Sequence, residues 1–398
     1  MFVGNSRWAD IEKNTVSGII PGTLGIRMGF KNIKKHLNID DIHVDVPIVQ
    51  GGMGVCVSLS GLASAVAQQG GVGVISATGI GMREADFLSD FMKANRRALK
   101  KHIRRAKSRT SGVIGINLMV ALSDYAELFK TSYEEGADVV FVGAGLPRRI
   151  PKTVSIDTVK NSPTKFVPIV SSRRAAKIIF RAWDRNYDYI PDGVVVEGPK
   201  AGGHLGFKKE QINSSQYRLE NILPEVIEEI KKYREKYNKN IPVIASGGIY
   251  TGEDIDKYMN MGAEAVQLGT RFVATEECDA SLGFKESYVK CNKEDIAIID
   301  SPVGLPGRAI NNKFLQRIAN GHSQKFTCPG KCLKSCKFKE APYCICLALT
   351  EACVGNLDEG FAFAGENAFR IEEITTVKEL FRELIESSDI LSDSRTSE

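Results

Sequence analysis

The sequence predicts an α/β protein: a TIM (β/α)8 barrel with an N-terminal extension and a C-terminal cysteine-containing cap. Two observations carry this. Eight short apolar runs recur through the middle of the chain; they are continuous rather than alternating, as strands covered on both faces require. Segments of helical period separate them, and eight strand-then-helix units over about 240 residues match this barrel in number and size. A doubly wound open sheet is the alternative, because strand order is not written in a single sequence.

Residues 1–40 form the extension, with Gly18, Pro21-Gly22 and Gly25 but no clear period. The barrel spans 41–276. Its strands are expected at Asp45–Gln50, Val72–Ser76, Val113–Asn117, Val139–Val142, Val167–Val170, Gly193–Val196, Pro242–Ala245 and Ala265–Leu268. Helices are expected at Ser60–Gln69, Glu84–Lys107, Asp124–Glu135, Ser172–Asn186, Pro224–Tyr237 and Gly252–Met261. Gly136-Ala137 and Gly262-Ala263 each end a helix-like segment just before an apolar run, as a repeating α-to-β joint would. Lys208–Glu220 separates the sixth strand's loop from its helix and reads as a lid or partner surface. After Thr275 the rhythm stops. Residues 277–398 are expected to form the cap, with a cysteine cluster at 328–353, a helix at Thr376–Ser387 and a frayed end over Ser388–Glu398.

The 398 residues are 43% hydrophobic and 25% charged, ordinary for a soluble globular chain. A net charge of +5 gives no argument for nucleic-acid or membrane binding. With neither an 18-residue apolar run nor a signal-peptide core at the N-terminus, a cytoplasmic location is the default expectation. Of nine cysteines, six fall between Cys328 and Cys353. Without a secretory signal these read as thiols or metal ligands rather than a disulfide framework. Their spacing fits neither a paired zinc pattern nor a ferredoxin run, so no metal ligand is assigned.

The chemistry is expected in the loops after the strands' C-terminal ends, where barrel enzymes place it. The sixth strand spills into Glu197-Gly-Pro-Lys-Ala-Gly202-Gly203-His204-Leu-Gly206. An imidazole set among glycines, where packing is sparse, is presented to a cavity and titrates near neutrality. His204 is therefore the candidate catalytic residue. The first strand ends in Gln50-Gly51-Gly52-Met53-Gly54, offering backbone N–H groups and a soft thioether to an aromatic ring. Gly247 and Gly248 after the seventh strand, and Leu268, Gly269 and Thr270 at the end of the eighth, fall at the usual phosphate-binding corner. Asn117, Glu197 and Gln267 add polar groups suited to the edge of an isoalloxazine ring. Lys93, Arg97, Lys101, Arg105 and Arg109 recur every four residues. On a helix they make one positive stripe, either a solvated face or a docking site for an acidic partner.

Together these motifs resemble the flavin-dependent nitronate monooxygenase (2-nitropropane dioxygenase-like) family and its close relative, enoyl-acyl carrier protein reductase II. QGGMG, GINLM, VGAG, VVVEGPKAGGHLG, IASGGI and AEAVQLGTRF occur in order between Val46 and Thr275, followed by GLPGRAINNKF at Gly304–Phe314 and GNLDEGFAFAGENA at Gly355–Ala368. The resemblance implies a TIM barrel holding non-covalent FMN against Gly51–Met53, Asn117, Glu197, Gly202, Gly247 and Gln267–Thr270, with His204 as the active-site histidine. Many monooxygenases of the family carry glutamine where this chain has Glu197, which is closer to the reductase pattern. The longer Phe207–Glu220 stretch departs from the reductases in turn.

The leading expectation is oxidation of an alkyl nitronate by O2 on FMN, with His204 holding the nitronate as an imidazolium or removing an α-proton. One alternative is an NAD(P)H-dependent enoyl-acyl carrier protein reductase, for which acyl carrier protein is the acidic partner. Another is a flavin or metal redox module built on the cysteines. A homodimer is left open.

Overall fold

The structure, a computed structural model, describes residues 33–328, 330–389 and 391. Residues 1–32 of the expected extension, and 390 and 392–398 of the expected frayed end, lie outside the described residues.

The first described element is an antiparallel hairpin, β1 (Leu37–Ile39) and β2 (Ile42–Val44), turned at Asp40. It straddles residue 40, where the sequence pattern put the start of the barrel. The difference has a physical basis: Leu37, Ile39 and Val44 join Val49, Val74, Phe141, Val167, Val195 and Ile244 in one buried cluster. The hairpin thus seals one end of the barrel interior.

Eight parallel strands build the barrel. They are β3 (Ile48–Gln50), β4 (Gly73–Ser76), β5 (Ile114–Met119), β6 (Val139–Gly143), β7 (Lys165–Val170) and β8 (Val194–Glu197), then, after a short β9 (Gly203–His204) that leaves the barrel, β10 (Val243–Ser246) and β11 (Ala265–Leu268). Their order is β3-β11-β10-β8-β7-β6-β5-β4, and a parallel bridge between Val49 and Val72 closes the ring. Every expected run is a barrel strand. The order excludes the open doubly wound sheet, whose strands reverse direction of growth partway across.

Helices α1 (Ser60–Gln68), α2 (Phe91–Lys107), α3 (Tyr125–Glu134), α4 (Ile156–Lys160), α5 (Arg173–Tyr187), α6 (Lys209–Ile212), α7 (Leu219–Tyr237), α8 (Gly252–Asn260) and α9 (Thr270–Val273) run between and after the strands. Two starts differ from expectation. The second helix begins at Phe91 rather than Glu84, because Asp90 caps it by accepting from Lys93 N at 3.1 Å while Glu84 and Asp86 turn back to hold Arg97. The seventh begins at Leu219, five residues before Pro224; the proline sits inside the helix instead of opening it. The Lys208–Glu220 insertion contains α6 and a 3-10 turn at Ser215–Tyr217.

The cap contains α10 (Leu282–Val289), β12 (Ile296–Asp300), β13 (Pro306–Ile310), α11 (Lys313–Ala319), α12 (Ile345–Cys353) and α13 (Val377–Glu386). It is stitched to the barrel at three places. β13 pairs antiparallel with both β12 and β9, so the histidine loop becomes the third strand of the cap sheet. The buried Asp279 carboxylate accepts from Leu59, Gly61 and Leu62 N at the start of α1. α13, capped by Thr376 and Glu379, packs its apolar face against α1 and α8.

Candidate functional site

A cavity of about 500 Å³ opens at the C-terminal ends of the barrel strands, within the usual range for small-molecule and cofactor sites. The catalytic and cofactor-binding candidates from sequence all line it: Gly51, Gly52, Met53, Asn117, Glu197, Gly202, Gly203, His204, Gly247, Gly248, Gln267, Leu268, Gly269 and Thr270. Parallel strands put every loop that follows them at one mouth, which is why motifs more than 200 residues apart converge here.

The strand-end backbone is shaped for close approach. At Gly52 an added Cβ would stand 2.2 Å from Asn117 Cβ, so any side chain there would displace the asparagine. Gly247 and Gly248 take φ of 99° and 90°, a conformation that costs glycine little and other residues much. Among the described residues, the N–H groups of Gly247, Gly248, Gly269 and Thr270 donate to no backbone carbonyl. The Gln267 amide donates to Ser246 Oγ at 3.2 Å.

Residues from the cap complete the site, from within the two resembling segments Gly304–Phe314 and Gly355–Ala368. The buried Arg308 guanidinium on β13 donates to the carbonyls of Pro199 and Ala201, the latter at 2.8 Å, clamping the glycine loop. The 363–367 segment ties three strand-end loops together. Gly365 N donates to Thr270 Oγ1 at 3.0 Å, Asn367 Nδ2 to Gly248 O at 2.7 Å, and Glu366 N to Lys200 O at 3.1 Å. The Lys200 ammonium also pairs with the Glu366 carboxylate at 3.0 Å. This segment lies within the resembling stretch Gly355–Ala368, and the bonds show what it holds.

His204 and Glu197 are the titratable groups of interest. Nε2 of His204 lies 2.7 Å from the Ser301 hydroxyl, and its ring meets Phe363 edge-on at 5.0 Å. Burial, with no compensating carboxylate, pushes its pKa down to about 4, so the imidazole is neutral at pH 7. The value lies below the near-neutral titration expected from the sequence, because burial disfavours the charged ring. Burial pushes Glu197 the other way, up to about 7, because a desolvated carboxyl resists ionisation. At neutral pH it is divided between a hydrogen-bond donor and an anion.

These residues fit a flavin-sized, phosphate-bearing group. Ser76 Oγ, in the cavity wall, is buried without a hydrogen-bond partner. Such a group carries a desolvation cost until a ligand atom meets it. The free N–H groups at the β10 and β11 ends suit phosphate oxygens, and Asn117, Glu197 and Gln267 offer polar contacts to a ring edge.

Two other sequence features lie elsewhere. The nine cysteines are free thiols, and among the described residues no three His, Cys, Asp or Glu side chains gather as a metal-holding group. Lys93, Arg97, Lys101 and Arg105 do share α2, while Arg109 lies past its end; Arg97 is already engaged by Glu84 and Asp86. No helix among the described residues is long and apolar enough to cross a membrane.

The nitronate monooxygenase family model matches residues 35–387. A probable nitronate monooxygenase of Staphylococcus saprophyticus is 25% identical over 70% of this chain and 79% of its own length. A Mycobacterium tuberculosis protein named (3aS,4S,5R,7aS)-5-hydroxy-7a-methyl-1-oxo-octahydro-1H-indene-4-carboxyl-CoA dehydrogenase is 24% identical over 70% of this chain and 67% of its own. Among solved structures, Thermotoga maritima FabK superposes with a TM-score of 0.65 and 28% identity, covering 86% of this chain and 93% of that one. Nitroalkane oxidase from Streptomyces ansochromogenes gives 0.66 at 21% identity, covering 86% and 96%, and shares the fold.

Proposed function

The chain belongs to the nitronate monooxygenase family and is a flavin-type oxidoreductase, and from that premise we propose that it binds FMN and oxidises alkyl nitronates with O2. The observation that carries this reading is the desolvated imidazole of His204, held in one cavity with the glycine backbone of the strand ends and the side-chain amides of Asn117 and Gln267. When bound, the flavin supplies the redox chemistry, accepting electrons from the substrate and passing them to O2. The N–H groups of Gly247, Gly248, Gly269 and Thr270 would hold its phosphate. Gly51, Gly52, Met53, Asn117, Glu197, Gly202, Gly203, Gln267 and Leu268 would surround the ring.

His204 then acts on the substrate. A neutral imidazole donates a hydrogen bond to an anionic nitro oxygen, and the anion in turn raises the imidazole's proton affinity. With a pKa of about 4 it is a weak base for a neutral nitroalkane, so the preformed nitronate is the better substrate. Ser301 orients the ring through Nε2, and Phe363 restricts its tilt. The test is turnover of ethyl or propyl nitronate in air: O2 uptake with release of nitrite supports the proposal, and its absence with flavin bound refutes it.

A second reading, NAD(P)H-dependent reduction of an enoyl thioester on acyl carrier protein, is favoured by two observations. One is the carboxyl at 197 in place of a carboxamide. The other is the apolar cavity wall of Leu305, Leu333, Ile345 and Leu349 from the cap, which suits an acyl chain. The similarity to a carboxyl-CoA dehydrogenase adds a thioester to the substrates worth testing.

A further inference from the structure

We propose that Cys332 and Cys346 are a site of reversible disulfide formation that fastens α12 to the cap segment held by the loop after β5. Their sulfurs lie 3.5 Å apart, in contact, so a bond of about 2.0 Å needs about 1.5 Å of approach. The proposal does not depend on which cofactor the cavity holds.

The two cysteines belong to different segments of the cap. Cys332 lies in a cap segment already bound to the loop after β5. Its carbonyl accepts from Ser123 N at 2.9 Å, Leu333 bridges Leu122, and Lys334 donates from its backbone to Ala121 O at 2.9 Å and from Nζ to Val120 O at 2.8 Å. That loop follows Asn117 and Met119, both in the cavity lining. Cys346 sits in the first turn of α12, whose Ile345, Cys346 and Leu349 also line the cavity. A bond between them would join α12 to a segment the barrel already holds.

Access selects this pair. Cys332 is partly exposed, which lets a small oxidant reach it, and Cys346 is buried directly behind it. The other close pair, Cys56 and Cys353, shares a thiol hydrogen bond, but both residues are almost wholly inaccessible, at 1% and 2% exposure. The oxidant we name is a low-molecular-weight disulfide such as oxidised glutathione. The Cys332 thiolate attacks one of its sulfurs, forming a mixed disulfide and expelling one glutathione thiolate. The deprotonated Cys346 sulfur then attacks the Cys332 sulfur and expels the second. Two protein thiols are oxidised, one external disulfide is reduced to two thiols, and the two protons pass to the departing thiolates.

The experiment treats the flavin-loaded full-length protein with oxidised glutathione, traps remaining thiols with N-ethylmaleimide and maps the peptides. Expected is a cross-link between the Cys332 and Cys346 peptides, lighter by two hydrogens and reversed by dithiothreitol, with a rise of a few degrees in Tm. Cys332→Ser should retain the flavin content and fold of the parent and show neither the cross-link nor the Tm rise. Recovery of both cysteines alkylated, glutathione adducts without a cross-link, or a bond between other cysteines would overturn the site. A cross-link without a Tm rise would overturn its fastening role.

Discussion

Replacing Glu197 with Gln should abolish a pH dependence of nitronate binding that the wild-type protein shows near neutrality. Burial holds this carboxyl at about 7 against an ordinary 4.5, a difference of about 3 kcal/mol between the two protonation states. The sign follows from the raised value. Below pH 4.5 the carboxyl is protonated whether the chain is folded or not; as the pH climbs past 7 the folded protein must hold a desolvated anion, and that stability is lost. The same anion faces the cavity an anionic substrate enters. If nitronate binds only beside the protonated carboxyl, KM is multiplied by one plus ten to the power of pH minus 7. That is a weakening of about tenfold between pH 6 and pH 8. In the free protein His204, at about 4, stays neutral across this range, and the Glu197→Gln variant keeps it, so any pH dependence that His204 adds in the complex appears in both proteins. The assay is initial-rate KM for preformed propyl nitronate at several pH values, with urea unfolding as a second readout. The variant should show a flat KM and, above pH 7, greater stability than wild type. Matching KM profiles for the two proteins would refute the reasoning.

Three further expectations follow from the same geometry. His204→Asn should keep the flavin but lower kcat/KM for nitronate by about 100-fold or more, the usual worth of a positioned proton-transfer or charge-holding group; an unchanged rate would remove His204 from the chemistry. Arg308→Met leaves the carbonyls of Pro199 and Ala201 without their buried donor, so urea unfolding should show a loss of about 2–3 kcal/mol and faster flavin release. Gly52→Ala drives a methyl to 2.2 Å from Asn117 Cβ; the flavin absorbance per chain should fall sharply while the circular dichroism spectrum is kept.

The barrel was legible because its signal is local. Runs such as Val194–Val196 and Val243–Ala245 are apolar on both faces, and a glycine-rich segment follows each at the same mouth. Gly136 and Gly262 take positive φ at the α-to-β joints, as their position after helical segments suggested. Proline and acidic residues misplaced two helix starts: Pro224 reads as a beginning, and Glu84 and Asp86 read as helical although they serve Arg97. The cap's contribution was not legible. Arg308, Ser301 and Phe363 reach the site only because β13 pairs with β9, a contact between residues about a hundred positions apart. Arg308 and Phe363 lie in the resembling segments Gly304–Phe314 and Gly355–Ala368, but those segments do not say which of their side chains turn inward, and Ser301 lies outside both. The charge states of His204 and Glu197 were likewise invisible, since burial sets both.

The most direct test of the account is anaerobic mixing of the flavin-loaded protein with propyl nitronate, followed by its visible spectrum. The account predicts prompt bleaching of the oxidised flavin, slowed in His204→Asn. A flavin that stays oxidised with nitronate but is bleached by NADH would contradict it and move the protein to the reductase reading.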